Sequence, residues 1–319
     1  MQRVLSLWLP RFSTDRLCRR REAADGHAPT PWRSEPLVTL TAEGGRGERL
    51  VSVNRAAELV GLAPDRTLAD ARALVPGLRA LEHDSMDEIK ALAALADWCG
   101  RYSPWTAVDG IEANGAGGIW IDITGVAHLF GGEEALLADL TARLDSFGYI
   151  SRAGLSDTPG AAWALARFGV AADSNWRVEA PGTGAQTLAS LPVAGLRLTP
   201  QIHASLLRLG LRTIGDVLPL PRAGLSARFG TELVRRIDQA LGRIKEPIMP
   251  RPSALVTRLR LALPEPVGRP KDITAAAHRL LTAMCQRLER SRRGVRQLEL
   301  ALYRIDGHVT RVPVGTNCA

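Results

Sequence analysis

Near the start of the chain, Val4-Leu5-Ser6-Leu7-Trp8-Leu9 is apolar but for Ser6, and Pro10-Arg11 closes the run. That pattern predicts a short buried strand. Residues 37–41 and 49–53 read as a second pair of strands around the Gly44-Gly45 turn. Thr67 followed by Asp70 matches a capping box that opens a helix with Leu68, Ala71, Leu74 and Val75 on one face. Ser85 and Glu88 repeat the signal before a longer helix whose stripe is Ile89, Leu92, Ala96 and Cys99, with Pro104 beyond its end. Residues 105–112 and 119–124 read as strands joined by the turn Asn114-Gly115-Ala116-Gly117-Gly118. An amphipathic helix over 132–144 and a strand over 149–155 follow. This alternation predicts an α+β sheet domain, with a small fold inserted after the first strand.

From about residue 180 to 250 the pattern is all-helical, with short helices and tight turns, and Glu246-Pro247-Ile248-Met249-Pro250-Arg251-Pro252 reads as a proline-rich linker. Beyond it the expectation is a strand over 255–263, a helix over 273–291 and strands over 295–303 and 308–314. A domain of that kind needs a further helix and strand to close its sheet, so the last segment reads as truncated.

The chain has 319 residues and is 45% hydrophobic, which allows two or more domains. Its net charge is +8, and the excess is almost entirely arginine, since lysine occurs only at 90, 245 and 271. Arginine suits a polyanionic partner because it forks onto phosphate and each contact releases counterions; the competing explanation is the composition of a GC-rich genome. Cys18, Cys99, Cys285 and Cys318 are scattered, with no C-x-x-C pair, which argues against a structural zinc site or a disulfide framework. The first apolar run is too short for a signal peptide or a membrane span, so a cytoplasmic protein with reduced thiols is expected.

Five segments, in order, resemble the Y-family (UmuC/DinB-like) translesion DNA polymerases. Leu50-Val51-Ser52-Val53-Asn54-Arg55-Ala56-Ala57-Glu58-Leu59-Val60-Gly61-Leu62 and Thr67-Leu68-Ala69-Asp70-Ala71-Arg72 are similar to the fingers. Trp120-Ile121-Asp122-Ile123-Thr124-Gly125, followed by Leu129-Phe130-Gly131-Gly132, resembles the palm strand beside the active site, and Gly154-Leu155-Ser156 the later palm strand. Leu209-Gly210-Leu211-Arg212-Thr213-Ile214-Gly215-Asp216-Val217 looks like the helix-hairpin-helix turn of the thumb. The resemblance implies a right-hand architecture: a palm over 1–170 with fingers inserted at about 22–82, a helical thumb over 171–247 and a partial little finger over 253–319.

The family's chemistry is phosphoryl transfer by two magnesium ions held on clustered carboxylates. The resemblance places the first carboxylate at Trp8 and the adjacent acidic pair at Gly117 and Gly118, or, in a second register, at Glu112 and Ala113. Neither register leaves two adjacent carboxylates, although Asp109, Glu112 and Asp122 remain nearby. The family's triphosphate-binding positions in the fingers fall at Arg55 and Glu58, and Asp157-Thr158-Pro159-Gly160 stands where a lysine-rich loop is common. This double loss, with Leu7-Trp8-Leu9-Pro10-Arg11-Phe12 at the start, is similar to the non-catalytic ImuB group. The resemblance implies no enzyme activity, no cofactor, and a role as adaptor in the damage-induced (SOS) mutagenesis response. It also implies four partners: DNA, the sliding clamp, a RecA-like accessory protein and a separate error-prone replicative-type polymerase. Two alternatives stand beside it. An active, magnesium-dependent polymerase would need three carboxylates to converge, and a purely structural protein-interaction module would need the thumb and little-finger cleft to lack positive charge.

For DNA contact the candidates are Arg208, Gly210, Arg212 and Gly215 in the hairpin turn, where glycines let backbone amides face a phosphate. Arg292 and Arg293, crowded with Arg287, Arg290 and Arg296, are candidates for tracking the duplex. Gln297-Leu298-Glu299-Leu300 reads as strand core rather than a clamp-binding peptide; His128 and His203 read as structural, and Trp105, Trp163 and Trp176 as core fillers.

Overall fold

The computed structural model describes residues 2–24, 32–42, 47–251, 258–263, 265–290, 294–295, 297–304, 306 and 308–315. Strand β1 (Val4–Leu9) alternates in the manner the pleat requires. Leu5, Leu7 and Leu9 enter the main core with Phe12, Leu92, Leu136 and Leu140, whereas Val4 on the other face packs with Ala107, Trp120 and Ala162. Helix α1 (Phe12–Ala24) follows at once. It carries no apolar stripe that periodicity could find; burial of Phe12 and Cys18, and a bond from the Ile150 amide to the Asp15 carboxylate (3.0 Å), hold its first turns down.

The inserted fold comprises β2 (Leu37–Ala42), β3 (Glu48–Val53), α2 (Arg55–Leu59), α3 (Leu68–Leu74) and β4 (Arg79–Glu82). Its sheet runs β3-β2-β4, with β2 antiparallel to β3 and parallel to β4. Val38, Leu50, Ala57 and Ala71 form its own core. Thr67 caps α3 by accepting from the Asp70 amide at 3.1 Å, as its sequence predicts, but Leu74 is half exposed. Helix α4 (Ser85–Cys99) is capped one residue earlier than expected, by Asp84, which accepts from the Asp87 amide at 2.9 Å. Leu92, Ala96 and Cys99 are buried, while Ile89 is 53% exposed; Glu88 takes the inward place instead, 3.3 Å from the His83 ring.

Strands β5 (Thr106–Ile111) and β6 (Gly117–Asp122), helix α5 (Glu133–Ser146) and β7 (Arg152–Ser156) follow. Helix α6 (Pro159–Ala164) runs on into a single π turn, Leu165–Gly169, before β8 (Trp176–Val178). The main sheet is ordered β5-β6-β1-β7-β8, with β1 antiparallel to β6 and β7. It therefore extends past residue 170, and Gly117 and Gly118 lie within β6 rather than in the turn.

Helices α7 (Gly184–Ala189), α8 (Pro200–Arg208), α9 (Ile214–Val217), α10 (Arg222–Phe229) and α11 (Thr231–Ala240) bury Leu188, Leu206, Ile214, Leu233 and Ile237 against Ala161, Ala164 and Leu165. The following segment is strapped down. Glu246 pairs with Arg197 (2.7 Å) and Arg236 (3.4 Å), and Ile248 packs beside Val4 and Trp120. The Arg251 amide donates to Thr106 O at 2.7 Å, and its guanidinium reaches Asp97 at 3.1 Å.

The chain divides into two compact units, Met1–Ser253 and Ala254–Ala319. In the second, residues 258–263 take no regular structure, so that part of the expected strand is absent; the rest of it lies outside the described residues. Helix α12 (Pro270–Arg290) and the antiparallel pair β9 (Gln297–Tyr303) and β10 (Val309–Gly315) follow. Among the described residues no helix is long and apolar enough to cross a membrane.

Candidate functional site

On β1, Trp8 lies across from Gly118 of β6 on one side and Arg152 of β7 on the other. The two sequence positions expected to carry opposite halves of a metal centre are thus adjacent. By the pleat, Trp8 shares a face with Ser6 and Val4, opposite the core that takes Leu5, Leu7 and Leu9. Its indole lies beside two guanidiniums, with the Arg167 Cζ 5.5 Å and the Arg152 Cζ 6.0 Å from the ring.

The carboxylates left in the region do not converge on an open space. The pairing of β5 with β6 shifts between Val108 and Gly110, and Gly110 takes φ +120°, so Asp109 is the extra residue of a β-bulge. A bulge re-aims its side chain. Here it turns Asp109 toward the indoles, accepting from Trp120 Nε1 and Trp163 Nε1, each at 3.0 Å. The space it occupies exists because residue 118 is glycine: a Cβ there would fall 2.8 Å from the Asp109 side chain. At Gly117 a Cβ would fall 3.0 Å from Leu92 Cδ1 and 3.1 Å from the Phe12 ring, on the core face. The two glycines therefore point to opposite faces of the sheet, and only Gly118 borders the cluster.

Arg167, in the π turn after α6, closes the arrangement. It donates to Glu112 at 2.8 and 3.1 Å and to Asp109 at 3.3 Å, and stacks on Trp163 at 3.8 Å. Its side chain is 4% exposed. Burial pulls its pKa below the usual guanidinium range, and the charges of Glu112 and Asp109 oppose that pull. A π turn often marks a functional position; here it brings a cation beside Trp8, where the resemblance leads one to expect the first carboxylate. Asp122, the third carboxylate, lies apart. It accepts from the Thr124 amide (2.9 Å) and Gln2 (3.3 Å) beside a cavity of about 220 Å³ lined also by Ser103, Pro104, Trp105 and Val126.

These residues do not fit a two-metal centre. A hard cation needs several free oxygen ligands, but Trp8 and Gly118 supply none, and Asp109 and Glu112 share Arg167. Among the described residues no group of three or more His, Cys, Asp or Glu is placed to hold a metal. In the fingers, Glu58 is ion-paired with Arg11, while Arg55, the first residue of α2, is exposed.

The hairpin turn between α8 and α9 differs from expectation in one respect. Two of its amides are bonded within the turn: Asp216 Oδ2 accepts from the Arg212 amide (3.0 Å) and the Thr213 amide (2.8 Å), and Thr213 accepts in return from Asp216, a complete capping box. Those bonds, the Thr213 amide first, hold the Asp216 carboxyl below its ordinary pKa. Gly215 serves close packing, since a Cβ there would meet Ala189 O at 2.8 Å, and Gly210 takes φ +79° to reverse the chain. The arginine side chains of Arg208 and Arg212 remain exposed. In the matching upstream turn, which lacks the expected glycines, Arg197 itself adopts φ +55°. Its guanidinium sits between Glu246 and the rings of Trp120 (5.9 Å) and Trp163 (5.8 Å).

Arg292 and Arg293, with Arg296, lie outside the described residues. Trp105, expected in the core, is 56% exposed because it precedes the edge strand and only its flank meets the Asp122 cavity. Trp163 and Trp176 are half-buried against apolar neighbours. The sequence carried no signal for Arg167, Arg197 or Arg152, because their roles depend on the π turn, a left-handed residue and strand register.

No family model matches the chain. It is similar to Protein ImuB from two strains of Caulobacter vibrioides, with 45% identity over 256 residues, which is 80% of this chain and 54% of the relative. The chain thus spans about half the length of the curated relatives it matches. Among solved structures it is similar to the insertion ternary complex of Dbh DNA polymerase (TM-score 0.62, 12% identity, 98% of this chain and 88% of that one). DinB from Sulfolobus solfataricus gives a TM-score of 0.59 at 13% identity, covering 99% of this chain and 87% of the other. At such identities the solved structures speak for the fold alone, and the ImuB match supplies the sequence relationship. The chain is an ImuB-like relative that carries the Y-family polymerase fold.

Proposed function

We propose that this chain engages DNA without adding nucleotides, as an adaptor in translesion synthesis. The observation that carries the reading is the closed cluster at the palm position: Trp8 opposite Gly118, with Asp109 and Glu112 both ion-paired to Arg167. A site that spends its carboxylates on an internal arginine has no ligands to offer magnesium, and so no means to activate a primer hydroxyl. Residues 1–170 then act as palm with fingers at about 22–82, 171–247 as thumb and 253–319 as little finger. DNA contact falls to the exposed Arg208 and Arg212 in the thumb and to Arg292 and Arg293 in the last unit, with Gly210 and Gly215 shaping the turn. The wider reading follows the ImuB resemblance: a cytoplasmic assembly in the SOS mutagenesis response with the sliding clamp, a RecA-like accessory protein and an error-prone replicative-type polymerase.

The test is primer extension with magnesium and all four nucleotides, paired with primer–template binding at two salt concentrations. The expected result is binding that weakens with salt and no extension. Extension that disappears on changing Asp109 or Glu112 would overturn the reading.

A further inference from the structure

On the helical layer that covers the core face of β1, opposite Trp8, arginines and aromatic rings alternate. The Arg19 guanidinium of α1 lies 5.0 Å from the Phe147 ring and 5.5 Å from Tyr149. Phe147 meets Trp98 edge-on at 5.2 Å, and Arg101 covers Trp98 at 4.9 Å. Beyond α1, Trp32 is flanked by Arg21 at 5.3 Å and Arg79 at 4.5 Å. Neighbouring cations have carboxylate partners: Arg16 and Arg20 share Asp87, Arg33 holds Glu22 and Arg79 holds Glu35. Arg19, Arg21 and Arg101 are exposed and make no ion pair among the described residues.

That difference has a chemical consequence. A guanidinium lying over a ring is held in place by its face, which leaves its edge N–H donors free to fork onto an oxyanion. Held this way, each arginine loses less conformational freedom on contact than a free side chain loses. Trp98 and Phe147 are only partly buried, so aromatic surface lies between the Arg19 and Arg101 charges. Charged edges alternating with aromatic surface suit a single strand, whose phosphates meet cations while its unstacked bases meet rings; a duplex offers no free base faces.

We propose that Arg19 and Arg101, with Trp98 and Phe147, form a single-stranded-DNA contact surface on the helical layer of the main unit. It lies on the face of the main sheet opposite Trp8 and does not depend on the proposed function. Binding of a labelled oligothymidine and of a blunt hairpin duplex to the full chain, each as a function of salt, tests it. For single strands each lost phosphate contact flattens the log–log salt slope by about 0.7, so Arg19→Gln with Arg101→Gln should flatten the oligothymidine slope by about 1.4 and leave duplex binding unchanged. Lysine at the same two positions should keep the slope near that of the parent chain. Arg208→Gln with Arg212→Gln should weaken the duplex only, which separates failure of this surface from failure of the cleft. Melting curves must show that the glutamine variant is folded; if it is not, Trp98→Leu with Phe147→Leu gives the second test, through weaker oligothymidine binding at constant slope. An unchanged slope, equal losses for single strand and duplex, or stronger displacement by a glutamate-rich peptide than by oligothymidine would each overturn the proposal.

Discussion

Arg167→Met puts a side chain of similar length, without charge or fork, at the centre of the cluster. What is lost can be counted from its contacts. Two short bonds to Glu112 and a longer one to Asp109 disappear. Charge-assisted bonds contribute about 1.5–3 kcal/mol each at best. Glu112 is 38% exposed and can return to water, which discounts its share to about 1 kcal/mol. Asp109 keeps both indole donors, so it is not orphaned. The stack on Trp163 contributes about 2 kcal/mol when desolvated, while relief of a buried guanidinium offsets part of the loss. The net is a destabilisation of about 3 kcal/mol, or roughly 6–12 °C in Tm for a unit of this size. Thermal unfolding by circular dichroism measures it, with Arg167→Lys expected to fall between the two. A change under about 2 °C, or a rise in Tm, would refute the view that Arg167 holds the cluster together.

Restoring carboxylates with Trp8→Asp, Gly117→Asp and Gly118→Glu should give no magnesium binding by calorimetry and a lower Tm, because Cβ atoms at 117 and 118 collide with Phe12 and Asp109; recovered extension would contradict this. Burial pushes the Asp15 carboxyl up from 3.8 to about 6. The folded state therefore binds the extra proton between about pH 4 and 6, and stability falls as pH rises through that window. Asp15→Asn keeps an acceptor for the Ile150 amide, and should raise stability by up to about 3 kcal/mol at pH 8 while changing little at pH 4; equal effects at both pH values would exclude the mechanism. Gly215→Ala should cost about 1–3 kcal/mol through its clash with Ala189 O, seen in urea unfolding, with duplex affinity of the folded fraction unchanged. A direct loss of affinity would return Gly215 to the DNA contact.

Elements with a strong pattern were legible in the sequence. Val4–Leu9 is a strand because five of its side chains are apolar and both of its faces are covered, and Thr67 caps α3 because its hydroxyl reaches the Asp70 amide. Helix α1 was not legible, since its stability comes from contacts made by Phe12, Asp15 and Cys18 rather than from a stripe. The cap of α4 was misplaced by one residue because Asp84 and Ser85 both suit an N-cap, and only the backbone at Asp84 is extended. At the site, the resemblance marked Trp8, with Gly117 and Gly118 or Glu112 and Ala113, as the family's carboxylate positions. It could not show what replaced them: a bulge at Asp109, a π turn at Arg167 and the Trp8–Gly118 register are set by tertiary packing, and no local pattern announces them. The bonds from the Arg212 and Thr213 amides to Asp216 were not legible for a similar reason, since an acid at that position suits solvent as well as the second half of a capping box.

The cluster has an optical consequence. Of seven tryptophans, Trp8, Trp120 and Trp163 gather around the Asp109 carboxylate and three arginines, Arg152, Arg167 and Arg197. Indoles held this near to charged groups have emission that depends on the local field, so the cluster carries a built-in reporter. A polyanion brought beside Trp8 would change that field without any added dye. Selective excitation of the chain before and after adding primer–template, repeated with Trp8→Phe, turns the position where the resemblance places a metal ligand into a direct readout of whether DNA comes near the cluster.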